Sequence, residues 1–306
     1  MNEPTVIIIA GPTAVGKTAV AVRLAQQLST KIISADSRQC FKELNIGVAK
    51  PSPEELQAVH HYFISSHSIH EEVTAASFEA LALQWTDDIF NEQTKAGKPP
   101  VAVMVGGTGL YIKAFTEGLD TIPSIDPFVR QEIQQQYAAA GMDWLQQQVK
   151  EADPAFFQAG EIQNPQRLMR ALEVIRSTGR SILDFRTRNR KPRPFNIKTI
   201  GLQLPRETLN QRINHRVDMM MDQGLLDEVK ALEPYKHLNA LQTVGYTELF
   251  EYLEGKTSLD EAIENIKVNT RRYAKRQMTW FRKDPSIRWI DAGEGVSKDN
   301  LTLILS

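Results

Sequence analysis

Short apolar runs alternate with amphipathic segments over the first third of the chain. Residues 5–10 are apolar and rich in β-branched side chains, which is typical of a strand buried on both faces. Residues 18–29 repeat apolar side chains every three or four positions, and this period predicts a helix with one buried face. Residues 31–35 and 101–105 are further apolar runs, with a second helical pattern at 77–94 between them. This order predicts an α/β fold with a parallel sheet flanked by helices.

The pattern changes in the middle of the chain. Residues 119–199 are rich in glutamine, keep apolar positions at helical spacing and end in a basic stretch broken by prolines. We therefore expect a helical insertion domain there. The core would then consist of a first part, residues 1–118, and a second part, residues 200–306, that completes the sheet and ends in a basic helical region.

A long helix is expected near the start of the second part. Strand character at residues 197–204 is followed by apolar positions that keep helical spacing from Arg206 to Leu232. Such a helix would place Arg212 and Arg216 one turn apart on one face.

Composition limits the class of protein. With 42% hydrophobic and 24% charged residues over 306 positions, the chain is neither disordered nor collagen-like. A single cysteine, Cys40, excludes a disulfide scaffold or a Cys-rich zinc site and favours a reducing compartment. The apolar run at 5–10 is far shorter than the roughly 20 residues that span a bilayer, and no basic segment precedes it. We expect a soluble, cytoplasmic protein.

Two basic clusters lie behind the net charge of -1. Each contains a single acidic residue, Asp284 in the C-terminal cluster and Asp184 in the other. Such surfaces suit phosphate-rich partners, although a solvated face explains either cluster equally well when it is taken alone. The clusters are Lys267, Arg271, Arg272, Lys275, Arg276, Arg282, Lys283 and Arg288, and Arg180, Arg186, Arg188, Arg190, Lys191, Arg193 and Lys198.

A complete phosphate-binding loop follows the first strand. The sequence GPTAVGKT at residues 11–18 lies between a predicted strand and a predicted helix, as a P-loop requires. Its backbone N–H groups and the helix start would surround phosphate oxygens, Lys17 would neutralise a terminal phosphate, and the Thr18 hydroxyl would bind Mg²⁺. The residues of this diphosphate or phosphate cradle are Gly11, Thr13, Ala14, Val15, Gly16, Lys17 and Thr18.

Two further strand ends carry candidate chemistry. Asp36 follows the second strand, where a carboxylate can assist a metal ion or accept a proton from an acceptor substrate. The strand at 101–105 ends in GGTG without an acid, which counts against ATP hydrolysis. The glycines indicate backbone close to a ligand, with Thr108 as a side-chain donor.

Histidines and methionines give weaker signals. Four histidines fall within eleven residues, but neither cysteines nor a metal-ligand spacing accompany them. Methionines 219–221 and Trp280 and Trp289 are expected to be core or packing residues.

Seven segments in order resemble one family, the bacterial tRNA dimethylallyltransferases, also called tRNA isopentenyltransferases. The resemblance extends from Gly11 to about Asp291. The segments are GPTAVGKT at 11–18, DSRQ at 36–39, IGVAKP at 46–51, GGTGLY at 106–111, QRLMRALEV at 166–174, VGY at 244–246 and TRRYAKRQMTWFR at 270–282.

The resemblance implies a reaction and its substrates. The family transfers a dimethylallyl group from dimethylallyl diphosphate to N6 of adenosine 37 in tRNA. The P-loop would hold the diphosphate of this donor with Mg²⁺, and not ATP. Asp36 would be the general base, while Thr108 and Arg216 would contact the diphosphate as further catalytic residues.

The resemblance also implies how tRNA is bound. The insertion would clamp the anticodon stem-loop, and Gln39 would read the base edge. Apart from the resemblance, we expect a monomer that does not bind a membrane. The implied tRNA contacts are Asp36, Ser37, Arg38, Gln39, Arg130, Gln166, Arg167, Arg170, Lys275, Arg276, Gln277, Trp280 and Arg282.

Three other functions share parts of this pattern. A P-loop small-molecule kinase would have the same loop and sheet but would not need the basic C-terminal helix. An isopentenyltransferase acting on free adenine nucleotides would share the chemistry. A nucleotide-regulated RNA-binding protein would share the loop and the cations without catalysis.

Overall fold

The computed structural model describes residues 3–187 and 190–293. The chain forms two compact units, a core built from residues up to 116 and from 192 onward, and an inserted unit of residues 117–191. Arg188 and residues 294–306 of the expected C-terminal part lie outside the described residues.

Six strands and eleven α-helices make up the described structure. The strands are β1 (Thr5–Ala10), β2 (Ile32–Ser34), β3 (His61–Tyr62), β4 (Val101–Gly106), β5 (Asn196–Gln203) and β6 (Arg288–Asp291). The helices are α1 (Lys17–Leu28), α2 (Pro53–Ala58), α3 (Ala75–Lys95), α4 (Gly109–Glu117), α5 (Pro127–Ala152), α6 (Pro154–Ala159), α7 (Pro165–Thr178), α8 (Arg206–Asp222), α9 (Leu225–Leu232), α10 (Tyr246–Leu253) and α11 (Leu259–Phe281). Short 3₁₀ helices cover Ile182–Phe185, Glu233–Tyr235 and Asn239–Leu241.

The core is a parallel sheet with the strand order β3-β2-β4-β1-β5-β6. This confirms the predicted α/β fold class. Every residue of β1 and β4 is buried, which explains why these strands are continuous apolar runs instead of alternating ones. Ile7 and Ile9 pack with Leu24 of α1, while Val6 and Ile8 belong to the apolar cluster that contains Phe78 of α3.

Parallel pairing determines where the chemistry lies. Because parallel strands all end at the same edge of a sheet, the turns after β1, β2 and β4 are neighbours. These turns contain the P-loop, Asp36 and the GGTG sequence that begins at Gly106. Strands β3 and β6 were not predicted, since β3 has two residues and β6 follows a basic segment.

The prediction of one helix from Arg206 to Leu232 was wrong. Helix α8 ends at Asp222, and α9 begins at Leu225. Gly224 between them has φ of 96°, in the left-handed region, where glycine is strongly favoured. The apolar period continues through this break, so the spacing alone did not show it.

The inserted unit has an apolar core of its own, formed by α5, α6 and α7. Its buried side chains include Ile133, Leu145, Phe156 and Leu172. The backbone N–H of Lys191 donates to the carbonyl of Glu117 at 2.8 Å, so the two ends of the unit meet.

The boundaries of this unit differ from the expected 119–199. Residues 192–199 belong to the core, because β5 starts at Asn196 and pairs with Thr5 of β1. None of the described helices combines the length and the apolarity needed to cross a bilayer.

Candidate functional site

A cavity of about 700 Å³ opens at the carboxyl edge of the sheet, entirely within the core. The P-loop, the segment 45–53 and helix α8 form its walls. The residues predicted from the sequence that line it are Thr13, Ala14, Gly16, Lys17, Thr18, Asp36, Gln39, Arg216 and Gln277. The structure thus brings together a phosphate-binding loop, a carboxylate and an arginine from a distant helix. Gly11 and Val15 are buried and are not part of the cavity wall.

The P-loop presents the start of α1 to the cavity. Gly16, with φ of 97°, precedes the helix, which begins at Lys17. The unpaired N–H groups of the first helical turn give this end a partial positive charge, which attracts anions. Lys17 Nζ donates to the carbonyl of Pro12 at 2.7 Å.

The protonation of Lys17 depends on its surroundings. Burial lowers its pKa to about 7, while the charge of Asp36 raises the pKa and that of Arg216 lowers it. A diphosphate bound beside the amine would favour the ammonium form, because an opposite charge at short range stabilises the charged state.

Helix α8 contributes cations to the opposite wall. Arg216 Nη1 donates to the hydroxyl of Thr13 at 3.4 Å, and burial lowers the pKa of Arg216 while Glu55 acts in the other direction. Arg212 also lines the cavity and donates from Nη2 to the carbonyl of Gly293 at 3.0 Å. The two arginines therefore share the cavity face, as the helical spacing predicted.

The expectation that all three methionines of α8 are packing residues was wrong for Met219. This side chain lines the cavity and is 44% exposed. An apolar side chain on the wall of a polar cavity is suited to an apolar part of a ligand.

Asp36 has one oxygen held by the backbone. Its Oδ1 accepts hydrogen bonds from the N–H groups of Arg38 at 2.9 Å and Gln39 at 3.3 Å. Among the described residues, none donates a hydrogen bond to Oδ2. Asp36 lines the cavity, so this carboxylate is oriented by its own turn and has a second oxygen with which to accept a proton.

Thr108 contacts the turn after Asp36. Its Oγ1 accepts from the N–H of Ser37 at 3.1 Å and lies 3.4 Å from the Ser37 hydroxyl. Thr108 is not among the described residues that line the cavity. Thr108 therefore stabilises the turn that carries Asp36, and its predicted contact with a diphosphate stays a prediction.

Gln39 is occupied by the chain itself. Its Nε2 donates to the carbonyls of Val48 at 3.2 Å and Ala49 at 2.9 Å, and its Oε1 accepts from Ser34 at 3.5 Å. The amide fastens the wall segment 45–53 to the strand ends. To read a base edge, the Gln39 amide would have to give up these hydrogen bonds and form new ones with the base. Ser37 and Arg38, the remaining predicted contacts in this turn, are half-buried.

Sequence reasoning missed the group that holds the same wall from the other side. Glu228 of α9 accepts from the N–H of Ile46 at 2.8 Å and of Gly47 at 3.1 Å, and from the Tyr246 hydroxyl at 2.6 Å. Burial raises the pKa of Tyr246, and the charge of Glu228 raises it further. The VGY motif pointed to Tyr246, but a glutamate on an amphipathic helix gives no local signal.

The C-terminal basic cluster divides into paired and exposed cations. Lys267 lies 2.8 Å from carboxylate oxygens of Asp218 and Glu264, and Arg271 donates to Asn214 at 2.5 Å. At the end of α11 and directly after it, four predicted tRNA contacts are exposed: Lys275, Arg276, Trp280 and Arg282. The fifth, Gln277, is 6% exposed. The exposed part of the basic cluster is thus at the C-terminal end of α11, whereas Gln277 is buried there, and the predicted tRNA contacts stay predictions.

The inserted unit brings together two of the predicted arginines. Arg130 Nε lies 3.5 Å from one oxygen of the buried Glu173, and Arg170 Nη1 lies 3.2 Å from the other. Arg167 forms an ion pair with Glu161, and Gln166 is exposed. The shared carboxylate orients Arg130 and Arg170 together.

The residues at the P-loop fit a magnesium ion that is coordinated mainly by the phosphate oxygens of a bound substrate and by water. Thr18 lines the cavity and offers a hydroxyl. In the described part of the chain no three His, Cys, Asp or Glu side chains converge as a metal site, so the four clustered histidines do not form one. Mg²⁺ keeps several waters and binds phosphate oxygens with few protein ligands, which suits this donor set.

The chain is similar to proteins of one family. It matches the family model described as IPP transferase over residues 39–284. A curated tRNA dimethylallyltransferase of Christiangramia forsetii is 48% identical over 288 residues, which is 94% of this chain and 93% of the relative.

Solved structures agree with this similarity. The tRNA isopentenylpyrophosphate transferase of Bacillus halodurans has a TM-score of 0.70 at 36% identity and covers 99% of this chain and 94% of its own. A structure described as a eukaryotic dimethylallyltransferase acting on tRNA has a TM-score of 0.75 at 26% identity, covering 95% of this chain and 74% of that one.

Proposed function

This chain belongs to the tRNA dimethylallyltransferases, the IPP transferase family, and on that basis we propose that it transfers the dimethylallyl group of dimethylallyl diphosphate to N6 of adenosine 37 in tRNA. It is an enzyme of the prenyltransferase class. The products would be N6-dimethylallyladenosine and diphosphate. The kinase and free-nucleotide alternatives are not favoured, since the similar proteins are tRNA-modifying prenyltransferases by name.

One observation carries the proposal: a single cavity combines a diphosphate cradle with a carboxylate that the cradle does not use. Lys17, the start of α1 and Arg216 supply positive charge on the walls. Asp36 lines the same cavity and leaves Oδ2 available. A leaving diphosphate and a proton-accepting group are the two requirements of N-prenylation.

The cradle stabilises the leaving group. The bond between C1 of the prenyl group and the diphosphate oxygen breaks as the C1–N6 bond forms, and negative charge grows on the diphosphate. Backbone N–H groups of the P-loop, the Lys17 ammonium and Arg216, which lie on the walls of the same cavity, would stabilise this charge.

Asp36 acts on the acceptor. An exocyclic adenine amine is a weak nucleophile and must lose a proton once N6 is alkylated. Oδ2 of Asp36 would accept a hydrogen bond from N6, orient the amine and take that proton, while Oδ1 stays fixed by Arg38 and Gln39.

Thr18 is the protein ligand that we propose for Mg²⁺. Bound there with the diphosphate, the ion would neutralise part of the negative charge that develops on the leaving group. The remaining ligands would be diphosphate oxygens and water.

Two surfaces are proposed for tRNA. Lys275 and Arg276 on α11 and Arg282 directly after it would bind backbone phosphates, and Trp280 offers an aromatic surface beside them. Arg130 and Arg170 of the inserted unit would bind the anticodon stem-loop. The target adenine has to leave its stack to reach a cavity at the strand ends, which costs a few kcal/mol.

We further propose a cytoplasmic location, which suits a protein with one cysteine, buried and unpaired.

Transfer of label tests the function directly. The protein is incubated with Mg²⁺, unmodified tRNA, dimethylallyl diphosphate, AMP and ATP, with the label on either the prenyl group or ATP. A tRNA carrying guanosine at position 37 is the control. We expect prenyl label on the adenosine-37 tRNA and none on the control. Label moving to AMP or ATP, phosphate transfer, or no chemistry at all would contradict the proposal.

A further inference from the structure

Gln277 of α11 joins two turns at the cavity. Its Oε1 accepts a hydrogen bond from the backbone N–H of Thr13 at 2.8 Å, and its Nε2 donates to the carbonyl of Gly107 at 3.0 Å. One side-chain amide thus connects the P-loop after β1 to the turn after β4.

The helix places Gln277 on its inner face. Ala274, Gln277 and Phe281 are all buried and follow one another at spacings of three and four residues. Lys275 and Arg276, the residues just before Gln277, are exposed. The side chain is 6% exposed and both ends of its amide are bonded to the backbone, so a nucleic acid could bind this amide only by displacing these hydrogen bonds.

The glycines after β4 make this approach possible. A Cβ on Gly107 would lie 2.2 Å from Nε2 of Gln277, and a Cβ on Gly109 would lie 2.2 Å from the Trp280 ring. The absence of side chains at these glycines therefore lets α11 pack closely against this turn, whereas the sequence suggested that the glycines allow a ligand to approach.

The contact with Thr13 reaches the diphosphate site. Because its N–H is bonded to Gln277, Thr13 is held at one position in the loop, and its hydroxyl accepts from Arg216. Breaking the contact would release the loop residue that holds Arg216 and would leave the N–H of the half-buried Thr13 without its partner. Such a loss is costly in a buried site.

We propose that Gln277 is a positioning residue of the diphosphate site, which fixes Thr13 and through it Arg216, and that it does not contact tRNA. The inference rests on the proposed function, because it assumes that the P-loop binds diphosphate. It also makes one helix serve two substrates, since the exposed side of the same turn carries the cations proposed for tRNA.

The test compares two substitutions on one helical turn. Gln277→Met keeps the size of the side chain and removes both hydrogen bonds, whereas Lys275→Met places the same side chain on the exposed face. Binding of inorganic pyrophosphate with Mg²⁺ and binding of an unmodified anticodon stem-loop are measured separately by calorimetry. Hydrogen exchange of the P-loop peptide reports the Thr13 amide.

Gln277→Met should weaken pyrophosphate binding about tenfold, the effect of roughly one buried hydrogen bond, with stem-loop binding unchanged within about twofold. Exchange should accelerate in the P-loop peptide and not elsewhere. Lys275→Met should have the opposite effect: weaker stem-loop binding and unchanged pyrophosphate binding.

Weaker stem-loop binding with intact pyrophosphate binding in Gln277→Met would overturn the inference. If Gln277→Met does not fold, Gly107→Ala tests the same inference, because the added Cβ would displace the amide of Gln277 while Gln277 itself stays unchanged. Failure of the wild-type protein to bind pyrophosphate would instead refute the proposed function, and the exchange of Thr13 would still report the contact.

Discussion

Replacing Asp36 by asparagine separates its two tasks. The asparagine oxygen can take the place of Oδ1 and accept from the N–H groups of Arg38 and Gln39, so the turn keeps its shape. At the position of Oδ2 an amide NH₂ replaces an oxygen that could accept a proton. The substitution therefore removes general-base capacity and leaves the local hydrogen bonds intact.

The expected loss follows from these contacts. A positioned general base contributes about 10²- to 10⁴-fold in rate, equivalent to roughly 3–5 kcal/mol of transition-state stabilisation. Asp36→Asn should lower the single-turnover rate by this factor, while the free energy of unfolding changes by less than about 0.5 kcal/mol. Asp36→Ala should lose the same rate and a further 1–2 kcal/mol or so of stability, because two N–H groups lose their acceptor.

Single-turnover kinetics with enzyme in excess over labelled tRNA measures this step. The enzyme concentration must exceed the Kd for tRNA, and dimethylallyl diphosphate must be saturating. Pyrophosphate binding, measured in parallel, should stay within about threefold of wild type. A single-turnover rate for Asp36→Asn within tenfold of wild type would refute the role of Asp36 as the base.

Three further outcomes are expected. Glu228→Gln should raise the KM for dimethylallyl diphosphate more than it lowers kcat, because the wall segment 45–53 loses a charged acceptor; the free energy of unfolding should fall by about 1–3 kcal/mol. Asp227→Asn, at an exposed neighbouring residue, is the control, and equal effects of the two substitutions would contradict this reasoning. Lys275→Ala should reduce the slope of log K for stem-loop binding against log salt by about 0.7–0.9, and an unchanged slope would mean that it contacts no phosphate. Burial raises the pKa of Cys40 to about 12, so iodoacetamide at pH 8 should alkylate it only after unfolding, and fast labelling of folded protein would show that the thiol is accessible.

Most of the sheet was predictable from the sequence, for a physical reason. Strands β1 and β4 are buried on both faces and are therefore apolar at every position, which is a strong local signal. Strand β3 has two residues and no pattern of its own, since it exists through its pairing with β2. The break at Gly224 was missed because the apolar face continues from α8 into α9.

The site was predictable where chemistry lies within one segment. The P-loop needs a fixed order of residues to curl its backbone, so its sequence identifies it. Asp36 could be placed because it follows a strand. Gln277 and Glu228 could not be placed in this way, since each acts by contacting a segment more than a hundred residues away. Only the tertiary structure shows that Gln277 contacts the P-loop and that Glu228 contacts the segment 45–53.

The hydrogen bond between Lys191 and Glu117 closes the inserted unit at its base. The excursion from the sheet therefore begins and ends at a single point, so its removal would leave two chain ends that a linker of a few residues can rejoin. Such an insertion can be lengthened, exchanged or deleted without shifting the register of any strand. The part of the proposed tRNA surface that lies in this unit, Arg130 and Arg170, is therefore carried by a segment whose length can change without cutting a strand.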